Sequence, residues 1–113
     1  MPTPNRGEVW LVDLNPIRGR EQAGRRPALV VSVDEFNNGP ADLVAVLPLT
    51  TRERGIPFHV EVKPPEGKLD RRSFVMCEQL RCISQARLIH PLGTVSSGAL
   101  GLVDDRLRIL LGL

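Results

Sequence analysis

Short runs of apolar, often β-branched residues alternate with turn-forming clusters along most of this chain. Residues 8–14 (Glu-Val-Trp-Leu-Val-Asp-Leu) lie between Gly7 and Asn15-Pro16 and predict a first strand. Residues 27–33 predict a second, with Pro27 at its first position, where a missing N–H costs least. Residues 34–40 contain Asn37-Asn38-Gly39-Pro40, a turn cluster. Residues 43–49 form the longest apolar run and predict a more buried third strand, in which Pro48 points to an edge or a bulge. Residues 58–62 put Phe58, Val60 and Val62 on one face and His59 and Glu61 on the other, which predicts a half-solvated strand with His59 turned to solvent. Residues 73–78 read similarly, residues 79–83 continue them past a bend, and residues 63–67 form a loop between the two runs.

Near the end the period changes from two to between three and four. Ser96 or Ser97 would cap a helix over about residues 97–111, with Leu100, Val103, Leu107 and Leu110 or Leu111 on its buried stripe. Gly98 and Gly101 weaken its first turn. The pattern predicts a mainly β, α+β chain: a small, strongly bent antiparallel sheet or partly open barrel with a C-terminal amphipathic helix packed on it.

Composition narrows this further. The 113 residues suit one domain, residues 1–113, with residues 1–5 expected to be flexible. The 42% hydrophobic content and net charge of +2 exclude a disordered chain, and the longest apolar run is far short of a membrane span. Ten Gly and ten Pro favour many short elements over a helix bundle. The first residues carry no export pattern, and Cys77 and Cys82 fit neither a CxxC nor a paired metal spacing, so both are expected to be buried, reduced thiols of a cytoplasmic protein. With His59 and His90 far apart, no metal or other cofactor is expected.

Charge sharpens the picture once its placement is considered. Thirteen of the 15 basic residues are Arg, the side chain whose planar fork grips phosphate, although a GC-rich genome would give the same ratio. The loop over residues 15–26, longer than an ordinary hairpin connection, holds Arg18, Arg20, Arg25 and Arg26 beside one acid, Glu21. An even spread of 13 Arg over 113 residues would place between one and two there, so the excess favours anion recognition over a merely solvated loop. Arg52-Glu53-Arg54 and Arg71-Arg72 would extend a basic track, or simply solvate the surface. Trp10 is read as core, and core packing is expected for at least one of Phe36 and Phe58.

In order, Arg6-Gly7-Glu8-Val9-Trp10, Asp13-Leu14-Asn15-Pro16 and Gly19-x-Glu21-Gln22-x-Gly24-x-Arg26-Pro27-Ala28-Leu29-Val30 resemble the signature of the MazF/PemK (Kid) toxins of bacterial type II toxin–antitoxin systems. Pro48-Leu49-Thr50-Thr51, Ile56-Pro57-Phe58-His59-Val60, Glu78-Gln79-x-Arg81 and the closing helix continue the resemblance. It implies a homodimeric, SH3-like small antiparallel β-barrel that cuts single-stranded RNA at short motifs without a metal, restrained by a MazE-like antitoxin with an acidic, disordered segment. Its catalytic Arg and Thr fall on Arg26 and Thr50, with Thr51 next if the register slips by one, and Glu21 matches an acid of the same loop. RNA contacts are expected from Arg18, Arg20, Gln22, Arg25, Thr51, Arg52, His59, Gln79 and Arg81.

The chemistry is consistent with these positions. Metal-free cleavage uses the ribose 2′-OH as nucleophile on the adjacent phosphorus, leaving a 2′,3′-cyclic phosphate and a 5′-OH. Arg26 and Thr50 can stabilise the phosphorane charge, but a guanidinium cannot serve as base at neutral pH. Glu21 is the better candidate for base or for orienting Arg26, and His59 is the alternative. A gyrase-poisoning toxin of the same fold is a second reading, weakened because no aromatic residue follows Phe74. An inactive RNA-binding barrel is a third, weakened by the joint presence of Arg26 and Thr50.

Overall fold

The structure, a computed structural model, describes residues 3–15 and 24–113. Seven strands form one antiparallel sheet: β1 (Glu8–Asp13), β2 (Arg25–Val30), β3 (Leu43–Thr50), β4 (His59–Val62), β5 (Ser73–Met76), β6 (Arg81–Ser84) and β7 (Leu88–Thr94). A short helix α1 (Asp34–Asn37) follows β2, three 3-10 turns follow β4, β5 and β6, and helix α2 (Ser97–Leu111) closes the chain. The strand order is β4-β5-β3-β2-β1-β7, with β6 pairing β3 beside β5. Among the described residues no ladder joins β6 to β7, so the mainly β, α+β arrangement holds while the sheet stays open and does not close into the expected barrel.

Strand alternation sorts the apolar residues into two cores. Val9, Leu29, Leu47, Leu49, Val60, Val62 and Val75 pack on one side, where Val103 of α2 covers them with Leu100 and Leu107. Trp10, Val12, Ala28, Val30, Val44, Val46, Ile83 and Leu88 pack on the other. The central strands are thus buried on both faces, which explains why residues 43–49 read as a continuous apolar run. Pro48 does not mark an edge. β3 is central, pairing β2 along one side and β6 and then β5 along the other, and Pro48 falls between the last residue paired to β6 (Val46) and the first paired to β5 (Leu49). There a missing N–H breaks no ladder bond.

Other boundaries move for local reasons. β2 starts at Arg25, so the two arginines read as the end of a loop are strand residues, and it ends at Val30, short of residue 33. The turn cluster carries α1, whose Asn37 is buried and bonded to Ser32 and to the Pro4 carbonyl. β7 has no counterpart in the sequence pattern because it contains Pro91 and Gly93. It sits at the sheet edge and pairs β1 with two register shifts, where such residues are tolerated. Of the two thiols, Cys77 is buried as expected, whereas Cys82 is exposed on β6.

Ser96 caps α2, its hydroxyl accepting from the Ala99 N–H at 3.1 Å, and Gly112 ends the helix in the left-handed region. Leu110 and Leu111 are exposed, so the buried stripe stops at Leu107. Trp10 lies in the core, its indole N–H bonded to Glu8. Phe58 packs against the helix-side core, and Phe36 is exposed.

Two glycines make opposite predictions. A Cβ on Gly93 would stand 2.8 Å from the backbone carbon of Gly67, whereas one on Gly101, within α2, would meet nothing within 4 Å. Gly93→Ala should lower unfolding free energy by about 1–3 kcal/mol, and Gly101→Ala should raise it by about 0.5–1 kcal/mol. Urea midpoints at constant slope measure both, and equal shifts would contradict the close approach.

Candidate active site

The ladder between β2 and β3 runs Ala28↔Pro48, Leu29↔Leu47 and Val30↔Val46. Beyond the last pair of this ladder, Arg26 near the start of β2 and Thr50 at the end of β3 line one cleft. β2 begins and β3 ends beside this cleft of about 410 Å³, which is lined by Arg26, Pro27, Leu49, Thr50, Thr51, Arg52 and Arg54. Arg26 Nη1 donates to the Leu49 carbonyl at 3.4 Å. Thr50 is buried, and its Oγ1 accepts from the Arg52 N–H at 3.2 Å, which leaves the hydroxyl proton to be donated elsewhere. Three arginines and two hydroxyls around one opening make a site suited to an anion.

The described residues on either side of residues 16–23 are tied together. Leu14 N donates to Gly24 O at 3.0 Å, Gly24 N donates to Asn15 Oδ1 at 3.1 Å, and the Arg87 guanidinium bonds the Asp13 and Asn15 carbonyls. Gly24 takes a φ of +75°, a left-handed conformation that admits glycine without strain. Glu21, Arg18, Arg20 and Gln22 lie outside the described residues.

A second cleft of about 210 Å³ adjoins the first through their shared residue Arg54 and is lined by Glu53, Gly55, Ile56, His59, Glu61 and Phe74. His59 belongs here. Contrary to its expected exposure, its side chain is 4% exposed, because Glu78 reaches over from the turn after β5 and bonds Nε2 at 2.8 Å. Among the described residues, its Nδ1 and Glu78 Oε1 are buried without a hydrogen-bond partner. Beside it, Arg72 bonds Glu61 through Nε and forks onto Glu53 with two 3.2 Å bonds, its guanidinium 5.0 Å from the centre of the Phe74 ring. The bond from Arg72, with the charges of Arg72 and Lys63, holds the Glu61 carboxyl below the usual carboxylate range, against a smaller opposing effect of burial.

Of the sequence candidates, the structure brings Arg26, Thr50, Thr51 and Arg52 together. His59 lines the neighbouring cleft. Gln79, in the 3-10 turn Cys77–Gln79, and Arg81, at the start of β6, line neither. Arg25 is exposed opposite Asp13. Arg54, shared by both clefts, belongs to the site, and only its place in a run of charge signalled it. Among the described residues no three His, Cys, Asp or Glu converge closely enough to hold a metal ion. No helix of the described residues is long and apolar enough to cross a membrane.

The structure thus has an open antiparallel sheet in which Arg26 and Thr50 share an arginine-lined cleft. Residues 5–111 match the family described as PemK-like, MazF-like toxins of type II toxin–antitoxin systems, and the chain belongs to that family. It is similar to MazF of Deinococcus radiodurans, at 31% identity over the whole of both chains with a TM-score of 0.88. It is also similar to a mycobacterial endoribonuclease solved with its cognate antitoxin, at 26% identity over 100% of this chain and 97% of that one, TM-score 0.79. Mycobacterium tuberculosis toxin MazF-mt6, at 20% identity over 94% of this chain and 97% of that one with a TM-score of 0.78, shares the fold.

The two thiols give a direct check of the core packing. Burial, reinforced by the Glu78 carboxylate and opposed by Arg106, raises the Cys77 pKa from 9.0 to about 12. The raised value means that Cys77 contributes stability fully below pH 9.0 and loses it as pH climbs toward about 12. Native protein should take up one equivalent of an aqueous thiol reagent near neutral pH, at Cys82, and the second only on unfolding. Immediate modification of both would contradict a closed core at Cys77.

Proposed function

We propose that the chain is the toxin of a type II pair and acts as an endoribonuclease on single-stranded RNA, with Arg26 and Thr50 at the scissile phosphate. The observation that supports this reading is that both line one cleft just beyond the β2/β3 ladder, together with Arg52 and Arg54. The 2′-oxygen gives its proton to the base and attacks phosphorus while the bond to the 5′-oxygen breaks, and the leaving oxygen takes a proton from Arg26 or solvent, giving a 2′,3′-cyclic phosphate and a 5′-OH. Arg26 neutralises the charge that builds on the phosphoryl oxygens, and its fork suits two of them at once. Thr50, with one lone pair already engaged by Arg52 N–H, donates its proton to a phosphoryl oxygen. Arg52 and Arg54 hold flanking phosphates. The base is Glu21 in this scheme, since guanidinium groups stay protonated.

The partner proposed is an antitoxin with an acidic segment that folds over the arginine-lined cleft as it binds. Solved MazE–MazF complexes from Deinococcus radiodurans, one at 27% identity and TM-score 0.80 over 100% of this chain and 99% of that one, support it. Homodimerisation is carried over from the family resemblance on the same footing.

Purified protein incubated with mixed-sequence single-stranded RNA in EDTA should produce cuts at a short motif bearing 2′,3′-cyclic phosphate ends. Arg26→Ala should slow cleavage by about 10²–10³-fold with an unchanged unfolding midpoint, and Thr50→Ser should retain more activity than Thr50→Ala. RNA left intact by the wild type, or cut equally by Arg26→Ala, would overturn the proposal.

A further inference from the structure

Residues 51–58 join β3 to β4 with no regular secondary structure and carry Thr51, Arg52 and Arg54 into the cleft. Such a segment needs anchors if its arginines are to be pre-placed for a polyanion. Its near end is held where Arg52 N–H meets Thr50 Oγ1. Its far end is held by the Arg106 bond to the Pro57 carbonyl at 3.0 Å and by Cys77 N–H on the Phe58 carbonyl at 3.3 Å. Between them, Glu53 is gripped by both terminal nitrogens of Arg72.

Arg72 is itself fixed from two further directions. Its Nε bonds Glu61 of β4, and its guanidinium lies over Phe74 of β5. Phe74 is the register partner of both Glu61 and Thr50, so the strut stands on the strand directly beside the reacting pair. A lone surface ion pair contributes little, but a two-pronged fork within a network on an aromatic face is the geometry in which such pairs do contribute. Nε and both terminal nitrogens of the guanidinium are bonded to carboxylates. With three of its five N–H donors and its charge engaged by carboxylates, the residue is better placed to hold the segment than to grip RNA.

We propose that Arg72 is a positioning residue for RNA cleavage: through Glu53 it fixes the segment that carries Arg52 and Arg54 over the Arg26–Thr50 cleft. The inference rests on the endoribonuclease reading and adds a residue that does not touch substrate. Lysine cannot replace it, since a single ammonium cannot bond Glu61 and fork onto Glu53 together.

The test compares Arg72→Ala, Arg72→Lys, Glu53→Ala and the Arg72→Ala/Glu53→Ala double variant in steady-state RNA cleavage at low salt. Arg72→Ala should raise KM about three- to tenfold with kcat within about twofold, and Arg72→Lys should not restore it. Glu53→Ala separates positioning from simple charge. Removing a carboxylate beside a polyanion lowers KM if charge alone matters, whereas losing the strut raises it. The double variant should match the single ones because both break one contact. Amide hydrogen exchange over residues 52–55 should accelerate in both single variants without any RNA present. Unchanged exchange, full rescue by lysine, a lowered KM in Glu53→Ala or additive effects would overturn the proposal. Should the wild type fail to cut RNA, the enzyme reading falls, while the exchange measurement still decides the strut.

Discussion

The register between β2 and β3 is the constraint on which the rest of the molecule depends. Both strands are buried on both faces, with Leu29, Leu47 and Leu49 committed to the helix-side core and Ala28, Val30 and Val46 to the other. A slip of one residue would exchange these sets and place every large side chain in the wrong core. The same slip would shift Arg26 by one residue relative to Thr50. Packing far from the cleft therefore fixes which functional groups meet at its mouth.

Charge is organised locally within that frame. A net charge of +2 over 113 residues describes neither cleft. The first gathers three arginines with two hydroxyls, while the second, sharing Arg54, places two carboxylates, a buried imidazole and an aromatic ring beside it. Arginine does two different jobs in this arrangement. Arg26, Arg52 and Arg54 line the opening, whereas Arg72, Arg87 and Arg106 bond carboxylates and carbonyls of other segments.

Much of the fold was legible because burial leaves periodic traces. β1, β3 and β4 were visible as alternating or continuous apolar runs, and α2 as an apolar stripe capped by Ser96 or Ser97. β7 was not, because a bulged edge strand accommodates Pro91 and Gly93 and erases the alternation. His59 was read as exposed from its own strand. The side chain that covers it, Glu78, comes from a segment 19 residues away, and no local period encodes that contact. Arg26 and Thr50 became candidates through an ordered motif and not through hydropathy, and the pairing of β2 with β3 brings them to one cleft. Arg72 read as part of a basic track, since a charge run alone does not reveal that Glu53 and Glu61 fold back onto it. The motif residues Glu21 and Gln22 lie outside the described residues.

If Arg26 and Thr50 act on one phosphate as a single unit, their losses cannot be independent. Single-turnover cleavage by wild type, Arg26→Ala, Thr50→Ala and the double variant measures this directly. The account predicts a double variant about as slow as Arg26→Ala alone. A double variant slowed by the product of the two single effects would contradict it, showing two groups that do not work on the same transition state.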